Sequence, residues 1–105
     1  MIKVKVQKEA DVISSIKITG HANSGAYGQD LVCAGVSCIA VGMLNALDEL
    51  APIDSNSFIY QDGHIEVQNA PADEKTQLLL KTLLIQLQAV ELVHKKFIKI
   101  TIQEV

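Results

Sequence analysis

The sequence predicts an α+β fold: two apolar helices packed on a mainly antiparallel sheet, in the order β-β-α-β-β-α-β. Three observations carry this expectation. Segments near both ends alternate apolar and polar residues with period two, as half-buried strands do. Two long central segments repeat apolar residues at helical spacing. Turn-forming residues, among them Asp62-Gly63, Pro52 and Pro71, fall between the segments. A chain of 105 residues holds one core, so residues 1–105 form a single domain.

Ile2-Lys3-Val4-Lys5-Val6-Gln7 is the clearest strand. Val12 to Thr19 alternates more loosely through Val12, Ser14, Ile16 and Ile18, and the polar Lys8-Glu9-Ala10-Asp11 joins the two as a hairpin. Gly20 ends the second strand. Asn23 to Gln29 carries Gly25 and Gly28 with few apolar side chains and is expected to be a loop, a candidate lid that includes Asn23, Gly25, Tyr27 and Gly28. Asp30 is then placed as an N-cap for a helix from Leu31 to about Leu50. That helix is expected to bury Val32, Val36, Ile39, Met43 and Leu47, with Gly35, Cys38 and Gly42 as a second stripe of small residues, and Pro52 marks its exit. Phe58–Gln61 and Ile65–Gln68 flank Asp62-Gly63 as a tight hairpin. Pro71 stands before or within the first turn of a second helix running to about Val93, with Asp73 and Glu74 favourable at its amino end. Phe97 to Val105 returns to alternation as a last strand. Both helices carry more apolar surface than one sheet covers, which predicts either a second layer or a homodimer interface, with self-association the favoured reading.

Composition narrows the function. The formal charge of −3 disfavours a general nucleic-acid binder, so no direct nucleic-acid binding is expected. There is no arginine for planar clamping of phosphate or carboxylate. The start of the chain lacks a signal-peptide h-region, and the apolar runs are interrupted before membrane-spanning length, so no membrane partner is expected. Cys33 and Cys38 are five residues apart, a poor geometry for a disulfide within one helix, and the expected compartment is the cytoplasm.

Chemistry concentrates at His21 and Cys33. A thiol becomes a nucleophile when a base takes its proton and a positive environment holds the charge. With Asp30 as N-cap, Cys33 is the third helical residue, where unpaired amide hydrogens and the helix dipole favour a thiolate and offer an oxyanion site. Asp30 opposes the thiolate by its charge, yet it orders the turn and could orient an imidazole. Ser37, one turn beyond Cys33, either enters the site or bonds back to the Cys33 carbonyl. Cys38 is expected to be core packing. His64, beside a turn, is expected to be exposed and without a compelling partner, and His94 to sit against the helix dipole. One histidine and one cysteine are too few for a structural zinc site, and the loop glycines match no phosphate-binding pattern, so neither metal nor cofactor is expected.

Gly20-His21-Ala22, followed by Tyr27-Gly28-Gln29-Asp30-Leu31-Val32-Cys33-Ala34-Gly35-Val36-Ser37, resembles the bacterial ribosomal-processing cysteine proteases. The terminal alternation and the leucine-rich second helix extend the resemblance over the whole chain. It implies Cys33 as nucleophile, His21 as base, and Asp30 and Ser37 in the active-site neighbourhood. It further implies a homodimer that removes the N-terminal extension of a large-ribosomal-subunit protein. Two rival readings stand beside it: a non-enzymatic ribosome-associated assembly or binding module, and a thiol hydrolase of small molecules. A redox role is weaker, because Cys33 and Cys38 are not in a CxxC arrangement.

Overall fold

The computed structural model describes residues 1–20 and 27–105, and for residues 27–30 the course of the backbone alone. The elements are β1 (Ile2–Glu9), β2 (Val12–Thr19), α1 (Tyr27–Leu50), a 3₁₀ turn at Ser55–Ser57, β3 (Phe58–Gln61), β4 (His64–Val67), α2 (Glu74–His94) and β5 (Ile98–Glu104). They form one five-stranded sheet in the order β3-β4-β2-β1-β5. Three neighbouring pairs are antiparallel, while β5 runs parallel to β1. The expected α+β class and element order are therefore met.

Alternation decides which face of the sheet is dry. Ile2, Val4 and Val6 of β1 are buried, and Lys3, Lys5 and Gln7 are exposed. In β2 the looser pattern has a physical cause. The pairing register shifts between Gln7 and Lys8, so Ile13, and not Ser14, joins Ile16 and Ile18 in the core. Both helices lie on this apolar face. From α1, Val32, Val36, Ala40, Met43, Leu44 and Leu47 enter the core, and from α2, Leu80, Leu83, Leu84 and Leu87.

The start of α2 follows its sequence signals. Asp73 is the N-cap, and its Oδ2 accepts the Thr76 amide hydrogen at 3.0 Å. Pro71 stands just before the helix, where its missing N–H costs nothing. The start of α1 departs from expectation. The helix begins at Tyr27, so Tyr27 and Gly28 belong to it and not to a lid loop, and Asp30 lies within it and is not its N-cap. An N-cap residue needs a non-helical backbone, which position 30 does not have. The other lid positions, Asn23 and Gly25, lie outside the described residues.

Two further expectations are corrected by the helix faces. Cys38 is exposed and is no part of the core. It lies about 200° around the helix from the buried Val36, so it faces away from the sheet. Length and composition also let both helices pass as membrane spans, with mean hydropathy 1.8 over Leu31–Leu50 and 1.2 over Glu74–His94. The helices thus reach spanning length although polar residues interrupt their apolar runs, and in this fold their inner faces pack on the sheet. Their outer faces keep the predicted excess. On α2, Leu78, Ile85 and Leu92 are exposed at seven-residue spacing, beside Val93.

Candidate active site

Cys33 sits on α1 as its seventh residue, half-buried against the core. The expected first-turn placement is therefore corrected. In a helix that begins at Tyr27, the amide of residue 33 is directed at the carbonyl of residue 29 and is no longer an unpaired donor. The dipole still points its positive end toward this part of the helix, at a greater distance.

A cavity of about 300 Å³ opens beside the thiol. Cys33, Val36 and Ser37 of α1 form one wall, Ile2, Ile18 and Gly20 its floor, and the β3–β4 hairpin from Tyr60 to Ile65 the opposite wall. The structure thus places Ser37 on the same cavity as Cys33. His21 lies outside the described residues, as do the side chain of Asp30 and its contacts. Gly20, on the cavity floor, immediately precedes residue 21 in the sequence.

Gly20 is held by two constraints. Its N–H donates to the Gly63 carbonyl at 3.0 Å, which ties the end of β2 to the hairpin turn. Its φ is +92°, and a Cβ there would come within 2.5 Å of the Met1 carbonyl oxygen. No other residue fits that backbone without strain. Gly20→Ala is expected to cost at least about 1 kcal/mol, a fall in Tm of roughly 4 °C or more for a domain of this size. It should also lower activity, by redirecting the chain into residue 21. Thermal denaturation together with a peptide-cleavage rate checks both effects.

His64 is a correction of another kind. It is half-buried, not openly exposed, and it has a partner: its Nε2 lies 2.8 Å from Oε1 of Glu66. Strand alternation nevertheless separates this pair from Cys33. Ile65 and Val67 face the core with Ile18 and Ile16, so His64 and Glu66 project from the other face of the sheet. His64 borders the cavity from the hairpin, while its ring is occupied on the far side. Among the described residues no group of three or more His, Cys, Asp or Glu side chains is placed to hold a metal ion.

A second cavity, of about 330 Å³, lies between α1 and β3, lined by Val41, Leu44, Phe58 and Tyr60 among others. Tyr60 borders both cavities. The part of the hairpin in walling the Cys33 cavity is not legible in the sequence. The signal available was Tyr60 itself, an aromatic beside a tight turn.

Comparison with known proteins agrees with this geometry. Residues 1–99 match the model of a family described as "Cysteine protease Prp". The chain is 34% identical over 108 aligned positions to the ribosomal processing cysteine protease Prp of Bacillus subtilis, covering 96% of each. It is 34% identical over 93 positions to the protein of the same name from Staphylococcus aureus, covering 86% of each. The fold superposes with a TM-score of 0.89 on a crystal structure of the Staphylococcus aureus Prp in complex with a substrate peptide, at 29% identity, covering 98% of this chain and 100% of that one. A second structure of that protein, with a covalently linked product peptide, gives a TM-score of 0.84 at 30% identity, with the same coverage.

Proposed function

Because the chain belongs to the Prp family of cysteine proteases, we propose that Cys33 is its nucleophile and His21 its general base. In this reading the substrate is an N-terminally extended protein of the large ribosomal subunit, and the product is that protein without its extension. The observation that carries the proposal is the position of Cys33, half-buried on the wall of a cavity whose floor includes Gly20, the residue before His21 in the sequence. A fully buried thiol could not meet a peptide, and a fully exposed one would have no wall to orient it.

The steps follow from the chemistry of a thiol. His21 takes the Cys33 proton as the peptide docks. The thiolate attacks the scissile carbonyl carbon and forms a tetrahedral adduct. That adduct collapses with cleavage of the C–N bond, and the imidazolium passes its proton to the departing amine. Water, losing a proton to His21, attacks the thioester and releases the new carboxylate, and the thiol recovers its proton. No metal or organic cofactor enters this scheme. The second cavity, on the other side of Tyr60 and lined by Val41, Leu44 and Phe58, gives apolar room for substrate residues near the cut.

The excess apolar surface of the helices, above all the Leu78–Ile85–Leu92 line, supports the homodimer in this proposal. Two free cysteines fit the reducing cytoplasm to which we assign the protein. The direct test is incubation of substoichiometric protein with extended large-subunit ribosomal proteins, read by intact mass. The expected result is complete conversion to a shortened protein by one cut. Stoichiometric binding without a mass change would favour an assembly module, and turnover confined to small thioesters or amides would favour a small-molecule hydrolase.

A further inference from the structure

Among the described residues, helices cover one face of the sheet only, and the open face sorts the charge of the chain. Lys3, Lys5, Lys17 and Lys99 all project there. They are not merely near one another. Lys5 is directly opposite Lys17 across β1–β2, and Lys3 is directly opposite Lys99 across β1–β5. Like charges directly opposite on neighbouring strands destabilise a sheet. The carboxylate facing them is Glu66, in register with Lys17, and it is turned to His64 at 2.8 Å instead. Among the described residues no lysine lies within ion-pair distance of a carboxylate. The net charge of −3 conceals this segregation.

We propose that the open face of the sheet, centred on Lys5 and Lys17, is a docking surface for the sugar–phosphate backbone of RNA. The occupant follows from charge and composition. Protein–protein interfaces are depleted of lysine at their centres and anchored by aromatic or apolar side chains. Among the described residues this face has lysines at its centre and no Phe, Tyr or Trp. Nucleic-acid interfaces are polar and positively charged, and backbone contacts need neither arginine forks nor stacking platforms. Thr19 and Thr101, among the lysines, offer hydroxyls to ribose 2′-OH groups, which distinguish RNA from DNA. The choice of RNA rests on the ribosomal reading proposed above. The catalytic cavity opens on the helix side, so docking on this face leaves Cys33 free to work.

The test is fluorescence anisotropy with a labelled oligouridine of about 20 nucleotides. Four phosphate contacts give a slope of log K against log salt of about −3, at roughly −0.7 per contact for a single strand. The double variant Lys5→Gln/Lys17→Gln should halve that slope and bind at least about fivefold more weakly at low salt. Its Tm should be equal or higher, because a like-charge pair has gone, and its cleavage of a short peptide should be unchanged. Lys3→Gln/Lys99→Gln, a second independent pair, should weaken binding in the same way and keeps the test decisive if one variant fails to fold. The proposal is overturned by absence of binding at low salt, or by variants that bind like the parent. Equal affinity for poly-L-glutamate, or for a DNA strand of the same length, also overturns it. Peptide cleavage without RNA binding would reject the docking surface and leave the protease reading intact, and the reverse result would do the opposite.

Discussion

Cys33→Ala should abolish peptide-bond cleavage and leave the protein folded, with a Tm within a few degrees of the parent. The two halves of this expectation have separate causes. Cleavage is lost because no other group at the cavity can supply the sulfur: Cys38 is exposed on another face of α1, and Ser37 is a hydroxyl whose proton leaves far less readily. Stability is kept because Cys33 is only half-buried and borders open space, so removing the sulfur leaves no sealed void. Cys33→Ser should behave alike, since a hydroxyl needs stronger activation than a thiol. His21→Ala should lower the rate by about 10²-fold or more, the usual worth of a positioned general base. Intact-mass assays with thermal denaturation measure all three variants. Residual cleavage by Cys33→Ala at near-parental rate would remove the thiol from the mechanism. A His21→Ala protein within about tenfold of the parent would remove the base.

The largest effect on stability is expected at Gln77, remote from this chemistry. Its side chain is buried on α2 and closes a gap that the sheet leaves open. The pairing of β4 with β2 spans Ile16 to Thr19, which leaves the backbone of Ile13 beyond its reach. Gln77 fills the missing place. Its Oε1 accepts the Ile13 N–H at 2.8 Å, and its Nε2 donates to the Ile13 carbonyl at 2.9 Å and to the Pro71 carbonyl at 3.0 Å. Gln77→Ala strands these backbone groups and should cost about 3 kcal/mol, a fall in Tm of more than about 10 °C for a domain of this size. Gln77→Glu keeps an acceptor for the Ile13 N–H and loses both donations, so it should also destabilise the fold. A Gln77→Ala Tm within a few degrees of the parent would mean that water replaces the side chain at little cost. Below its melting transition the variant should still cleave, because Cys33 and its cavity are elsewhere.

The elements were legible where a local rule was sufficient. Alternation marked β1 and β5, Asp62-Gly63 marked the β3–β4 turn, and Pro71 with Asp73 and Glu74 marked the region where α2 starts. The start of α1 was misread because Gly25, Gly28 and Asp30 have the composition of a loop followed by a cap, yet the helix begins at Tyr27. Cys38 was misplaced because α1 is apolar or small on nearly every side, so periodicity alone could not say which side meets the sheet. The partner of His64 was missed because Glu66 is two residues away along a strand, which matters only once both side chains share a face. Ser37 and Cys33 line one cavity because they are one helical turn apart on α1.

By itself the sequence determined the kinds of element, their order, and which side chains can bear acyl-transfer chemistry, because period, turn chemistry and thiol reactivity are local properties. Only the tertiary structure decided that β5 lies parallel beside β1, that Gln77 completes the edge of β2, that the hairpin walls the Cys33 cavity, and that lysines distant in sequence confront one another across the open face. Each of these joins residues far apart along the chain. Such meetings are selected by the burial of the whole apolar face at once, which no short window of residues contains.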